Sequence, residues 1–281
     1  MVAAPHPPIA LSSRKRFLRR VRASIPHDVG ARTWLLLTLV ILVLLAAGVM
    51  RLHTYRERAA LLRADIDTIA REPALRASAI SRGRTVFAHH CAACHGLTAK
   101  GDIALGVPDL TDKPHLYGTG LASEIETIVL HGIRSGDSKG WNLASMPAYA
   151  TPKPYPREPI LPLSPGDLSD IVSFLRAMDG NAADPAATRR GAAIFDGRGG
   201  CWDCHGHDGG GDTAIGAPSL VDGVWLYGDG SAAAIRQSVA HGRHGVSPAF
   251  ARRLDPGDAR AVSVYVASLA PPPQSKDQGP K

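Results

Sequence analysis

The sequence predicts a mainly α-helical chain: one N-terminal membrane-spanning helix followed by two tandem copies of a small helical domain. Three observations lead there. An uncharged apolar run extends from Thr33 to Met50. The sequence beyond it repeats itself with an offset of 110 residues. Each copy places apolar residues at helical spacing behind a proline-led helix start.

The first element is the anchor. The 281 residues carry a formal charge of +7, but the charge is unevenly placed. Arg14, Lys15, Arg16, Arg19, Arg20, Arg22 and Arg32 face only Asp28 within residues 1–50. Basic residues before an apolar run mark the cytoplasmic side of a membrane span, so no nucleic-acid partner is expected. At 1.5 Å per residue the run from Thr33 to Met50 covers about 27 Å, close to the thickness of a bilayer core. A cleaved signal peptide is the alternative. Against it stand the long basic region and the weak cleavage site Ala46-Ala47-Gly48. Ser13-Arg14-Lys15-Arg16-Phe17-Leu18 is a poor twin-arginine signal, because Lys15 replaces an arginine of the pair. The expected order is a basic cytoplasmic arm over 1–32, the transmembrane anchor over 33–50 and a charged helical stalk over 51–74.

The repeats follow. Gly101-Asp102 matches Gly211-Asp212, and Gly106, Pro108 and Leu110 match Gly216, Pro218 and Leu220. Leu116-Tyr117-Gly118 matches Leu226-Tyr227-Gly228, and His131-Gly132 matches His241-Gly242. Domains are expected over 75–180 and 181–270, joined near Asp179–Pro185. Opening helices are expected around Ile80–Ala88 and Ala186–Phe195. Middle helices carry Ile125, Ile128 and Val129, then Ile235, Ser238 and Val239. Closing helices start at Ser164-Pro165 and Asp255-Pro256, a capping residue before proline. Leu168, Ile171, Val172 and Leu175 give the first of them one apolar face; Val262, Tyr265, Val266 and Leu269 do so for the second. Thr151–Pro165 reads as a proline-dense ordered loop, and 271–281 as a disordered tail.

The chemistry sits in the four cysteines. They form Cys91-Ala92-Ala93-Cys94-His95 and Cys201-Trp202-Asp203-Cys204-His205, with none left over. Two thiols two residues apart, on a turn entering a helix, can each bond a vinyl group of one haem. The next residue then directs its imidazole to the iron, so the pattern reads as c-type haem attachment, once per repeat. A thioredoxin-like pair does not require the histidine. One zinc shared between the pairs, or a disulfide, leaves both histidines unexplained. Cys91, Cys94 and His95 are therefore expected to hold one haem c, and Cys201, Cys204 and His205 another.

The second axial ligands differ between repeats. Met146, in Ser145-Met146-Pro147-Ala148-Tyr149, is expected to ligate the first haem, where a thioether raises the potential. The second repeat has Val246-Ser247-Pro248-Ala249-Phe250, with Ser247 where methionine is expected. The methionines are Met1, Met50, Met146 and Met178, so the second repeat has none. For the second haem three arrangements are open: His244 as ligand with lower potential, His241 as ligand, or a five-coordinate or water-bound iron. An open iron would offer a site for peroxide or a diatomic gas. No hydrolytic constellation is present, as suits a carrier whose redox chemistry is the cofactor's.

At these residues the chain resembles class I cytochrome c domains over about 75–275. The tandem arrangement behind one anchor resembles the dihaem subunit III of cbb3-type cytochrome oxidases. Trp225-Leu226-Tyr227-Gly228, His241-Gly242-Arg243, His131-Gly132-Ile133-Arg134 and Met146-Pro147-Ala148 carry that resemblance. It implies a subunit on the periplasmic face of a bacterial inner membrane. There it would pass electrons from a soluble donor toward a haem-copper catalytic subunit. A free-standing shuttle, or the cytochrome partner of a periplasmic dehydrogenase, is the alternative. Two departures stand out. Ser247 replaces a methionine, and residues 25–34 lack the family's Asn-Pro-rich segment with paired tryptophans.

Overall fold

The computed structural model describes residues 27–112, 115–152, 161–181 and 184–270. Most of the basic arm expected over 1–32, most of the Thr151–Pro165 loop and the tail expected to be disordered over 271–281 lie outside the described residues. Among those described there are helices and isolated bridges but no strand, as the patterning predicts.

Helix α1 spans His27–Arg63. Its stretch Gly30–Arg63 is long and apolar enough to cross a membrane, and the large apolar side chains from Trp34 to Met50 are exposed. The helix does not stop at Arg51, where the apolar run ends. Residues 51–63 contain no proline or glycine, so the backbone continues without a break. By contacts the chain divides into Met1–Arg56 and Glu57–Lys281. Within the second unit a 3₁₀ helix, Ile66–Arg71, follows, capped by Asp65. Leu61, Ile66 and Ile69 are buried against Ala79, Ala122, Ala261 and Val264.

The first repeat forms α2 (Pro73–His90), the single turn α3 (Ala92–His95), α4 (Ala122–His131) and α5 (Pro165–Met178). The second forms α6 (Pro185–Asp196), α7 (Trp202–His205), α8 (Ala232–His241) and α9 (Pro256–Ala267). Both closing helices begin where the caps predict. Ser164 accepts from Asp167 N–H, Asp255 accepts from Gly257 N–H, and proline occupies the first turn of each.

The packing crosses the repeats. Opening helix α2 packs on α9, the closing helix of the second repeat, and α5 packs on α6. The two crossings are equivalent. A Cβ on Gly83 would lie 2.2 Å from Ala261 O and 2.6 Å from Tyr265 Cβ; one on Gly191 would lie 2.1 Å from Asp170 O and 2.7 Å from Phe174 Cβ. Only glycine permits backbones this close. Phe87 meets Tyr265 edge-on at 5.4 Å, and Phe195 meets Phe174 edge-on at 5.2 Å. Arg82 pairs with Asp258, and Arg190 with Asp170. The short connection from Met178 to Pro185 accounts for this, since helices joined by so few residues pack as neighbours. Helix α5 is thereby taken by α6, and α2 is completed by α9.

Two cores result. One joins Leu168, Ile171, Val172 and Leu175 of α5 to Ile194, Phe195, Ile235 and Val239 of the second repeat. The other joins Val86, Phe87 and Ala99 of the first repeat to Val262, Tyr265 and Val266 of α9. Each buries several large apolar side chains, worth roughly 1.5–3 kcal/mol apiece.

Candidate haem attachment sites

Each cysteine pair sits on the single turn that follows an opening helix. Cys91 N–H still bonds to Phe87 O of α2, and His95 N–H then bonds to Cys91 O at 3.0 Å. His205 N–H bonds to Cys201 O at the same distance. Gly96 and Gly206 end the turns at φ of 72° and 74°, a conformation that glycine adopts without cost. The chain folds back under each histidine: Gly101 N–H bonds to His95 O at 3.0 Å and Gly211 N–H to His205 O at 2.9 Å.

Nδ1 of His205 lies 2.9 Å from Pro218 O. A carbonyl can only accept, so Nδ1 donates and Nε2 keeps its lone pair for a metal. His95 Nδ1 is buried without a hydrogen bond of standard geometry, and the carbonyl of Pro108 is the counterpart of Pro218. Burial holds both imidazoles below the usual histidine range, and the proline carbonyls oppose that only in part. Neutral imidazole is the form that ligates iron. None of the four cysteines is in a disulfide. Burial, then the neighbouring Cys94, pushes the Cys91 thiol up to about 11. Burial, followed by Asp203 and Asp212, raises that of Cys204.

Beside the first motif opens a cleft of about 660 Å³, lined by Ile80, Phe87, Leu97, Tyr265 and Leu269 among others. Arg84 and Ser268 add polar groups to its wall, and the ring of Phe87 stands 6.3 Å from that of His95, so an apolar face lies beside the attachment turn, as a covalently attached porphyrin requires. Phe87 and Tyr265 come from different repeats, so the wall of this cleft is shared between them.

The other candidate ligands fall as follows. Met146 packs, half-buried, on the core that Cys201 also packs against. The core beside Cys91 includes Leu254 and Leu269 from the second repeat, but Met146 is not part of it. His244 and His241 are exposed. His131 is half-buried, with Nδ1 3.3 Å from the Asp137 carboxylate. Ser247 is half-buried and exchanges two backbone hydrogen bonds with Ile133.

Three residues shape the sites through contacts that the sequence did not reveal, Arg243 among them, which the sequence offers only as a distal group for an open second haem. Tyr149 places its hydroxyl 3.9 Å from Cys201 Sγ. Arg134 donates to Gly245 O and Ala144 O, gripping a loop from each repeat. Arg243 lies over the Tyr227 ring at 4.3 Å and donates to Ser238 Oγ. Their place in the repeated motifs was visible, but Cys201 beside Tyr149 and Gly245 beside Arg134 lie across the exchange.

Comparison with known proteins agrees with this geometry. Residues 80–179 match the cytochrome c family model, and 186–266 match the model for cytochrome c oxidase, cbb3-type, subunit III. The FixP subunit of the cbb3-type oxidase from Azorhizobium caulinodans is 38% identical over 75% of this chain and 67% of its own length. The Bradyrhizobium sp. FixP subunit is 37% identical, over 75% of this chain and 68% of its own. The CcoP subunit from Cereibacter sphaeroides is 35% identical over the same shares. Cytochrome c domains of this kind carry covalently bound haem c.

Proposed function

Because the chain belongs to the family of cbb3-type cytochrome c oxidase subunit III, we propose that it is a membrane-anchored dihaem electron carrier delivering electrons to a haem-copper terminal oxidase. The observation that carries this reading is the duplicated attachment turn, built twice with the same backbone bonds through the histidine, that of the second copy being oriented from behind by the Pro218 carbonyl.

In this reading Cys91, Cys94 and His95 hold one haem c, and Cys201, Cys204 and His205 the second. Met146 is a thioether ligand to one of them. Bound haem supplies a one-electron couple; the protein contributes attachment, axial ligation and burial. The Pro218 carbonyl fixes which nitrogen of His205 faces the iron. The apolar core residues exclude water and limit reorganisation when charge arrives. No side chain moves a proton in such a transfer. Helix α1 anchors the protein in the inner membrane. The basic arm before it favours a cytoplasmic N-terminus and places the haems in the periplasm, within reach of a soluble donor.

The test is gentle solubilisation of the tagged chain from its native membranes, with b-type haem and copper assayed in the eluate. Both in stoichiometric amounts are expected. Their absence would overturn the oxidase assignment and leave a free-standing shuttle or a dehydrogenase partner, a reading that the departure over residues 25–34 would then explain.

A further inference from the structure

We propose that the two haems are ligated crosswise. Met146 of the first repeat serves the haem held by Cys201, Cys204 and His205. The haem held by Cys91, Cys94 and His95 faces Ser247 and keeps an axial position open to a small diatomic ligand. The inference rests on the dihaem reading above and deepens it.

The two ligand loops are pinned on opposite repeats. Met146 N–H bonds to Arg243 O at 3.1 Å, and Arg243 N–H returns a bond to Met146 O at 3.0 Å. Tyr149 and Ala150 then donate to Val239 O and Ala240 O at the end of α8. The Met146 loop is therefore fixed to the second repeat, and its Tyr149 hydroxyl reaches Cys201 Sγ. The reciprocal set places Ser247. It exchanges bonds with Ile133, both at 3.0 Å, and Phe250 and Ala251 donate to Val129 O and Leu130 O at the end of α4. Val129 packs on the core beside Cys91, as does Leu254 from the same loop as Phe250.

The exchange of loops matches the exchange of closing helices and follows from the same short connection. Gly132 and Gly242 mark the equivalent points: a Cβ on the first would lie 2.3 Å from Ser247 O, and on the second 2.5 Å from Met146 O. The nine extra residues between His131 and Met146 fold back on the first repeat, where Trp141 N–H bonds to Gly132 O at 2.9 Å and Arg134 N–H to Trp141 O at 3.1 Å, so both loops cross despite their different lengths.

The chemistry differs at the two ends of the cross. A methionine thioether is a strong ligand for ferrous haem iron. A neutral serine hydroxyl is a poor one and is readily displaced. The methionine deficit of the second repeat is thus a deficit at the first haem, whose ferrous iron can accept carbon monoxide or nitric oxide without displacing a protein sulfur.

The test uses the full-length, haem-loaded chain and two variants, Cys91→Ser/Cys94→Ser and Cys201→Ser/Cys204→Ser. Intact mass counts the covalent haems. Two in the native chain and one in each variant are expected, and any other count defeats the dihaem reading rather than the crossing. The ferric spectra are then examined for the red-edge thioether-to-iron band, and the ferrous spectra for carbon monoxide binding. The Cys91→Ser/Cys94→Ser chain is expected to keep the thioether band and bind no carbon monoxide. The Cys201→Ser/Cys204→Ser chain is expected to lose the band and bind one equivalent. The reverse pattern overturns the crossing, and absence of carbon monoxide binding in the second variant overturns the open position. If either variant fails to accumulate, the native ferrous chain carries the test by nuclear magnetic resonance. Cross-relaxation from the Met146 ε-methyl is expected to the haem bonded to Cys201 and Cys204, and cross-relaxation to the other haem contradicts the proposal.

Discussion

Asp167 shows how a single side chain can serve several purposes. Its carboxylate accepts from Ser164 N–H at 2.9 Å, its own N–H donates to Ser164 Oγ, and Arg198 of the second repeat pairs with it at 2.5 Å. The Arg198 hydrogen bond first, and the Ser164 contacts next, hold its carboxyl down at about 2, below the ordinary 3.8. A depressed carboxylate stabilises the fold fully above its unfolded value and loses that contribution as pH falls toward its folded one. The expected outcome for Asp167→Asn is a stability deficit at neutral pH that shrinks between about pH 4 and 2, followed by denaturant unfolding across that range. The capping pair was legible from Ser164-Pro165. Arg198 was not, because nothing local links residue 198 to residue 167. The same applies to Met146. Its residue type and its Met-Pro setting marked it as a ligand, but sequence spacing measures distance along the chain and says nothing of which iron it reaches.

At the level of elements, helix starts were read most securely. Proline behind a capping residue both removes an orphan N–H and fixes φ, so α5 and α9 begin where that pattern falls. The end of α1 was less visible, since no breaker separates the apolar run from the charged residues after it. What ties that end down is Arg260 of α9. Its guanidinium donates to Glu126 at 3.1 Å and to the carbonyls of Leu61, Leu62 and Ala64 at 2.9–3.2 Å. These are charge-assisted bonds in a half-buried setting, where losing them costs about 1.5–3 kcal/mol. Arg260→Met is expected to lower stability by about 2 kcal/mol, measured by thermal unfolding under circular dichroism. Since Arg260 satisfies carbonyls at the C-terminus of α1, hydrogen exchange is expected to rise first near residues 61–66.

For the whole molecule, duplication set the architecture and the short joint between copies set how they combine. The repeat of 110 residues, the two attachment turns and the helix order could all be read from the sequence. The exchange could not, because an equivalent helix stands in each repeat and either could close either core. The structure decides it through reciprocal pairs such as Tyr117 against Gly216 and Tyr227 against Gly106, a self-complementary interface of the kind found in two-fold dimers. One folded body therefore holds both attachment sites, which suits electron passage between them. The exchange is tested most directly at Gly83, where a methyl group would collide with the α9 backbone. Gly83→Ala is expected to overpack that crossing by about 1–3 kcal/mol. Read by hydrogen exchange on the haem-loaded full chain, protection should fall in Pro256–Ala267 and hold in Pro165–Met178. Loss of protection in Pro165–Met178 with Pro256–Ala267 unchanged would contradict the account.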